Sequence, residues 1–261
     1  MANMQEMLGS VGATGEGIDT NVDIVFVIDA TRSMQTTIDM VKAATLSFQD
    51  NLNTCLKNAG RIIKNLRIKV IWFRDFYYDG KYAYGESKFF ELPEEKEDFH
   101  DFVTEINEAG GGDDPESALE ALTLAMRSDF VQEGERKRHI IVLFTDAEAH
   151  AFEDYDRLVE EAAKKGCKPE MYPENMPKSL AELYNAWQGN AMNQDALGKE
   201  GETTKLDSSG RRLVLFAPNA YPWTDMEVEL ENTIRKTIEA GEGGAELEMG
   251  EVFNMIALSL G

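Results

Sequence analysis

The sequence has few of the residues that build disulfide-rich or zinc-stabilised proteins. Only two of its 261 residues are cysteine, Cys55 and Cys167, and only three are histidine. One pair of cysteines in a chain of this length is not a disulfide scaffold. The scarcity of sulfur and imidazole ligands also disfavours zinc. We therefore expect a reduced, cytoplasmic protein whose fold depends on a hydrophobic core.

Positive charge is also scarce. The chain has 26 lysine and arginine residues against 48 aspartate and glutamate residues, which gives a formal net charge of −22. A chain this acidic is a poor candidate for binding nucleic acid or an anionic membrane. The simplest reading is that the acidity keeps the protein in solution, but it is also compatible with cations or basic partners.

Long apolar runs are missing as well. No stretch of about 18 apolar residues is present, so we expect no transmembrane helix. The amino-terminal residues are polar and glycine-rich, and they lack the basic and apolar regions of a secretory signal. We expect residues 1–20 to be a flexible leader and residues 21–261 to form a single domain, with an insertion-like region at about 167–212.

Short apolar runs alternate with helical patterns along the chain. The clearest run, from Ile24 to Ile28, is apolar at every position, which is typical of a strand covered on both faces. The alternation predicts an α/β fold with a doubly wound, mostly parallel central sheet flanked by helices and one antiparallel edge strand. The predicted strands are 23–29, 66–73, 88–92, 139–146 and 213–217, and the predicted helices are 34–57, 93–106, a helix from Pro115, 152–165, 180–187, 226–240 and 250–260.

Side chains with oxygen atoms lie at three places in the predicted pattern of strands and helices. Asp29, Thr31 and Ser33 follow the first strand, Asp113 lies in a glycine-rich loop, and Asp146 ends a later strand. The carboxyl ends of parallel strands meet at one edge of a sheet, so the three carboxylates are expected to gather there. They would repel one another unless a cation joins them or one is protonated. Oxygen donors without histidine or cysteine favour Mg²⁺.

These segments resemble the von Willebrand factor type A family. The sequence Asp-Ala-Thr-Arg-Ser at 29–33 matches the motif that opens the family's metal-ion-dependent adhesion site. Thr145-Asp146 matches the third motif of that site, and Asp113 stands where most members have a threonine. The loop at 110–116, Arg74-Asp75 and His150 look like a bacterial and fungal subgroup of the family.

The resemblance implies a Rossmann-like fold and a bound divalent cation, Mg²⁺ or else Mn²⁺ or Ca²⁺. Its expected ligands are Asp29, Thr31, Ser33, Asp113 and Asp146. The family implies a non-enzymatic module that binds another protein. We expect this chain to be a monomer by itself and to take part in a bacterial stress or defence system. Because Asp113 adds charge to the site, we expect a weaker attraction for an acidic partner. We expect Arg32 and Arg74 at the rim to restore it, with help from a tyrosine-rich hairpin at 77–84.

Plainer readings of the same residues remain open. Asp29 and Ser33 are also typical helix caps, as is either Asp113 or Asp114 before Pro115. Asp146 is also compatible with an ordinary loop residue. The simplest prediction for Arg74 and Asp75 is an ion pair or a supporting contact. His150 is predicted to be packed or solvated, and Glu116 to lie in the first turn of a helix.

Two other functions compete with the interaction module. One is a scaffold whose metal site has become purely structural. The other is a Mg²⁺-dependent phosphatase of the haloacid dehalogenase type, which also begins from an aspartate after a buried strand. That chemistry needs a second aspartate two residues on, and the chain has Thr31 there, which cannot act as the acid and base.

Overall fold

A computed structural model describes residues 20–58, 63–110, 115–189 and 206–260. The predicted leader, except for its last residue Thr20, lies outside these described residues. So do Asp113 and part of the insertion-like region, residues 190–205. No helix in the described ranges is long and apolar enough to cross a membrane.

The described elements alternate as the sequence pattern predicts. The strands are β1 (Thr20–Asp29), β2 (Asn65–Phe73), β3 (Tyr84–Glu86), β4 (Phe90–Leu92), β5 (Arg136–Phe144), β6 (Arg211–Ala217) and β7 (Thr233–Thr237). The α-helices are α1 (Gln35–Ala44), α2 (Phe48–Asn58), α3 (Lys96–Thr104), α4 (Ala118–Met126), α5 (Tyr155–Lys164), α6 (Leu180–Trp187), α7 (Trp223–Glu229) and α8 (Met249–Ser259).

The described strands form one seven-stranded sheet in the order β3-β2-β1-β5-β6-β7, with β4 also paired to β2. The pairs β1–β2, β1–β5, β5–β6 and β6–β7 are parallel. The short strands β3 and β4 both pair antiparallel with β2 and form the predicted antiparallel edge. Because β1, β2, β5 and β6 run the same way, the loops that follow them meet at one edge, which we call the carboxyl edge.

Helices cover both faces of the sheet. Alternate residues of β1 point to opposite sides, so Ile24 and Phe26 join one buried cluster while Val25 and Val27 join the other. The first cluster includes residues of α1, α2, α3 and α8, and the second includes residues of α4, α6 and α7. This two-sided burial explains why the run is apolar at every position, and it confirms the doubly wound α/β prediction.

Three details of the predicted elements are wrong. The single helix at 34–57 is two helices separated by a 3₁₀ turn at Thr45–Ser47, where the Thr45 hydroxyl donates to the carbonyl of Lys42. The predicted helix at 226–240 is α7 followed by β7, because this segment adds a parallel strand to the edge of β6. Glu116 lies before α4 rather than in its first turn, in an isolated bridge with Ala149.

A buried aromatic cluster joins the sheet to three helices. The ring of Phe48 in α2 lies 5.4 Å from that of Phe26 in β1, 6.2 Å from Phe99 in α3 and 5.0 Å from Phe253 in α8. We predict that Phe48→Ala lowers the free energy of unfolding by about 3–5 kcal/mol, because removing the ring leaves a cavity at the point where one strand and three helices meet. Leu46→Ala is the control, since Leu46 is 50% exposed, and it should cost about 0.5 kcal/mol or less. Urea denaturation measures both, and equal losses would contradict the prediction.

Candidate functional site

The candidate site begins where β1 ends. Asp29 is the last residue of the strand and is fully buried. One of its carboxylate oxygens, Oδ1, accepts hydrogen bonds from the backbone N–H of Thr31 (2.9 Å) and from the Thr31 hydroxyl (2.6 Å). The other, Oδ2, accepts a hydrogen bond from the hydroxyl of Thr145 at 2.9 Å. Two loops of the carboxyl edge therefore meet at this one carboxylate.

Asp146 lies beside the same group of oxygens. It follows Thr145, and its Oδ1 accepts a hydrogen bond from the Ser33 hydroxyl at 3.0 Å. The hydroxyl oxygens of Thr31 and Ser33 are 3.5 Å apart. The structure thus brings together the four predicted ligands Asp29, Thr31, Ser33 and Asp146. The fifth, Asp113, lies outside the described residues.

The helix-cap reading does not fit this geometry. The 3₁₀ turn at Arg32–Met34 has Thr31 at its N-cap, and no side chain makes a cap hydrogen bond there. Asp29 accepts its hydrogen bonds from Thr31 and Thr145, and Ser33 donates to Asp146. The polar side chains after β1 therefore face one another across the loops instead of closing the start of a helix.

Burial perturbs the first carboxyl of the site. Desolvation raises the pKa of Asp29 from 3.8 to about 6, although the hydrogen bonds from Thr31 and Thr145 act in the opposite direction. The charge of Asp146 raises this pKa further, as a smaller contribution. The negative charge on Asp29 is therefore costly in the folded protein, and a nearby cation would relieve that cost.

The described residues fit a hard cation in their chemistry. All four side chains offer oxygen, which Mg²⁺ prefers. A hydroxyl that donates its proton to a carboxylate still has lone pairs for a metal ion. Coordination through Thr31 and Ser33 is thus compatible with their hydrogen bonds to Asp29 and Asp146. No cluster of three histidine, cysteine, aspartate or glutamate side chains is found within the described ranges, and a cation held by the four described side chains would use the two hydroxyls as well as the two carboxylates.

A glycine-rich loop between β7 and α8 covers Asp146. The backbone N–H of Gly243 donates to Asp146 Oδ2 at 2.8 Å, and the N–H of Gly241 donates to the Asp146 carbonyl at 3.0 Å. The hydroxyl of Thr37 in α1 holds the loop by donating to the carbonyl of Gly243. Gly243 has a φ of +61°, and a Cβ added there would lie 1.9 Å from the Ser33 carbonyl oxygen. Only glycine fits this approach without displacing the backbone.

Several of these contacts were missed by sequence reasoning. Thr145 was expected only as part of a motif, and the donor role of Gly243 carries no signal in the sequence. A backbone N–H is present at every residue except proline, so its use can be found only from the folded chain.

Arg74 and Asp75 do not form the predicted pair. The guanidinium of Arg74 donates to the carbonyls of Ala30, Tyr82 and Asn107, and the residue is 7% exposed. Asp75 instead accepts from the backbone N–H of Tyr77 and contacts the ring of His150, as described below. Arg74 thus ties three segments together and is not a rim residue, whereas Arg32 is exposed.

The predicted tyrosine hairpin is also different in the structure. Tyr77 is fully buried, while Tyr82 in a 3₁₀ turn is 60% exposed. The hydroxyls of Tyr77 and Tyr172 donate to the same oxygen of the buried Glu120, at 3.3 and 3.2 Å. Burial raises the pKa of Glu120 to about 7. The tyrosines therefore do not present one common face, and Tyr77 belongs to the core.

The raised pKa of Asp29 predicts a pH dependence for the cation-free protein. An acid whose pKa is higher in the folded than in the unfolded state stabilises the fold below the unfolded pKa, 3.8, and this contribution is lost as pH rises through about 6. A shift of roughly two units corresponds to about 3 kcal/mol. In chelator, Asp29→Asn should therefore gain stability relative to wild type between pH 4 and pH 7.

Urea denaturation at the two pH values measures this difference, with Asp39→Asn as the matched control. Asp39 is an exposed residue of α1, and its substitution should leave the wild-type pH profile unchanged. If wild type and Asp29→Asn lose stability in parallel between the two pH values, Asp29 is not the group that titrates.

Comparison with solved structures found folds that cover most of this chain. The pilus adhesin SpaC from Lactobacillus rhamnosus GG is 12% identical over 92% of this chain and 30% of its own, with a TM-score of 0.48. Proximal thread matrix protein 1 from the mussel byssus is 10% identical over 92% of this chain and 47% of its own, with a TM-score of 0.43. This chain thus spans less than half of either protein, and these likenesses carry no argument about function. No curated protein matches the chain.

Comparison with protein families gave a match over the middle of the chain. Residues 86–174 match the family model described as a von Willebrand factor A domain. The matched range contains the sequence loop at 110–116, β5 and Asp146, but not Asp29. The match confirms, over these residues, the resemblance to the von Willebrand factor A domain family that the sequence motifs indicate.

Proposed function

We propose that the protein is a non-enzymatic interaction module that holds a divalent cation at the carboxyl edge and binds a protein partner there. The proposed ligands are Asp29, Thr31, Ser33 and Asp146, together with Asp113. The main support is the hydrogen-bonded group of oxygens from Asp29 to Asp146, which joins the loops after β1 and β5. The bacterial stress or defence setting rests on the family resemblance alone, and that the chain is cytoplasmic and a monomer by itself is an expectation from its sequence.

The cation would neutralise the negative charge of Asp29, which burial makes unfavourable in the folded protein. Asp29 is fully buried and its pKa is raised, first by that burial. Mg²⁺ keeps open or water-filled coordination positions when a protein supplies only part of its ligand set. Ser33 and Arg32 are exposed at this place, while Asp29, Thr31 and Asp146 are buried. A partner would therefore approach from the side of Ser33 and Arg32.

The surroundings of Asp29 favour binding over catalysis. In a phosphatase of the haloacid dehalogenase type, a carboxyl two residues on would transfer the proton. Here Thr31 occupies that position, and both its hydroxyl and its N–H donate to Asp29 Oδ1. This arrangement reduces the reactivity of Asp29 as a nucleophile, because its oxygen is committed to two hydrogen bonds.

One observation favours a second candidate, the scaffold with a structural site. Each carboxylate oxygen of Asp29 and Asp146 already accepts a hydrogen bond from the protein. The fold thus satisfies these groups without an ion. A metal titration separates the two candidates, since only the first requires a cation.

We predict that chelator-treated protein binds Mg²⁺ or Mn²⁺ at one site and is stabilised by it. A ligand that binds only the folded state adds about 2.7 kcal/mol at a concentration of 100 times its Kd. Calorimetry should give one binding event that disappears in Asp29→Ala, Asp146→Ala protein. The exposed Asp39→Ala is the control and should bind like wild type. Binding that survives the double substitution places the cation elsewhere, and no binding by wild type favours the scaffold.

We also predict that Arg32 contributes to partner binding. Arg32 is exposed beside Ser33, and it is the cationic residue left at the rim once Arg74 is committed to carbonyls. With a partner captured by pull-down, Arg32→Glu should weaken binding about tenfold, a change of about 1.4 kcal/mol, and chelation should weaken it only in part. Lys57→Glu is the control, since Lys57 is exposed at the end of α2. Complete loss on chelation, with wild-type affinity for Arg32→Glu, would mean that the metal alone binds the partner.

A further inference from the structure

A cavity of about 300 Å³ opens at the carboxyl edge beside the candidate metal site. Its walls come from loops that follow the parallel strands, and they include Tyr78 after β2, Glu148 and His150 after β5, and Tyr221 after β6. Glu148 lies two residues beyond Asp146. The cavity is therefore a neighbour of the metal site but has its own lining.

Backbone hydrogen bonds fix the walls of this cavity. The N–H of Glu116 donates to the carbonyl of Glu148 at 3.0 Å, and the N–H of His150 donates to the carbonyl of Glu116 at 2.9 Å. The segment that leads into α4 is thus paired with the loop after β5. A cavity whose walls are held by the backbone is preformed, and preformed sites lose less entropy on binding.

The lining of the cavity includes a buried histidine, one of whose ring nitrogens is already hydrogen-bonded. His150 is 6% exposed, and its Nε2 lies 3.1 Å from Asp75 Oδ2. Asp75 is itself held in place by the N–H of Tyr77 at 2.6 Å. A carboxylate can only accept, so Nε2 carries a proton, and in the neutral form of the ring Nδ1 is a hydrogen-bond acceptor. Among the described residues no hydrogen bond to Nδ1 is found, so this nitrogen is left for a ligand of the cavity that His150 lines.

The charges around the cavity favour a cation. Three carboxylates line it, from Glu148, Asp154 and Glu161, against the single guanidinium of Arg157. Arg157 is already paired with Asp154 (2.8 Å) and Glu161 (3.1 Å) at the mouth. Glu148 is exposed and has no ion pair with any described residue. Negative side chains thus outnumber positive ones here, even with the ammonium group of Lys165 on the ring of Tyr78, and they would concentrate cations at the opening.

Aromatic rings give the walls a second feature that suits a cation. Tyr221 is 51% exposed at the opening. The ring of Tyr78 already carries the ammonium group of Lys165, 4.5 Å from its centroid. Ring faces attract ammonium and guanidinium groups through their quadrupole. Acceptor, carboxylate and ring thus all favour the same class of ligand.

We propose that this cavity binds the ammonium or guanidinium group of a lysine or arginine side chain from a protein partner. The side chain's N–H groups donate to Nδ1 of His150 and to the Glu148 carboxylate, and its charge lies against Tyr221. The proposal goes beyond metal binding and does not require the cation. It gives the acidic chain a specific place for a basic group of its partner.

The probes for this proposal are N-acetyl-arginine amide and N-acetyl-lysine amide, titrated into chelator-treated protein. Long-range ¹H–¹⁵N spectra resolve the imidazole nitrogens, since the chain has only three histidines. We expect the Nδ1 resonance of His150 to shift and saturate. His139 is an internal control because both of its nitrogens are already hydrogen-bonded, to Val131 and Asp207. The uncharged N-acetyl-norleucine amide should cause no shift.

Two surface substitutions test the carboxylates without disturbing the core. Glu148→Gln should weaken binding of the arginine probe at least threefold. Arg157→Gln should strengthen it by a similar factor, because it frees Asp154 and Glu161 at the mouth. Glu160→Gln is the matched control: Glu160 is an exposed residue of the same helix, α5, that does not line the cavity, and its affinity should equal that of wild type.

Specific outcomes would overturn the proposal. Equal weakening by Glu148→Gln and Glu160→Gln would mean that the probe follows only the overall negative charge. Binding of the norleucine amide as tightly as the arginine amide would mean that the cavity is merely apolar. No saturable shift of His150 would exclude the cavity as a cation pocket. Since the protein is free of metal in these titrations, such a failure would leave the Mg²⁺ titration of the neighbouring site unaffected.

Discussion

The buried carboxylate of Asp29 has to receive its hydrogen bonds from protein atoms, because it lies at the end of a strand that is covered on both faces. An ionised carboxyl in such surroundings is costly unless donors surround it. Thr31 and Thr145 supply the donors, which ties the loop after β1 to the loop after β5. Asp146 follows Thr145, so the same contact fixes Asp146 opposite Ser33. The spacing of the proposed ligands thus follows from the need to satisfy one buried charge.

The buried carboxyl groups of Asp29 and Glu120 differ in the hydrogen bonds that they accept. Burial is the largest cause of the raised pKa in both Asp29 and Glu120. Both oxygens of Asp29 accept hydrogen bonds, so its surroundings are prepared for charge. In Glu120, Tyr77 and Tyr172 converge on Oε1, and Oε2 has no partner among the described residues. That oxygen is suited to carry a proton, so Glu120 is the better candidate for a neutral core residue.

The central strands and most of the site residues were predictable because their residue types are dictated by the surroundings. A strand buried on both faces must be apolar throughout, as Ile24 to Ile28 is, and a polar residue directly after it marks the carboxyl edge. The strand β7 was missed because it lies at the sheet edge, where its half-buried residues include Arg235 and Lys236 and resemble an exposed helix. Its strand conformation comes from pairing with β6, which local sequence does not record. The break between α1 and α2 at Thr45 was missed for the same reason, because it involves a contact outside its own segment, between the Thr45 hydroxyl and His100 in α3.

The close contact at Gly243 has a consequence for sequence variation in this protein. The contact to Asp146 is made by a backbone N–H, so no replacement of the side chain at 243 removes it directly. Yet every side chain adds a Cβ, and the Ser33 carbonyl leaves no room for one. Position 243 therefore tolerates fewer residues than any of the hydroxyl positions around the site, where serine and threonine offer the same oxygen. In a library of substitutions at the carboxyl edge, the position that accepts the fewest residues would be Gly243, whose side chain has no functional group.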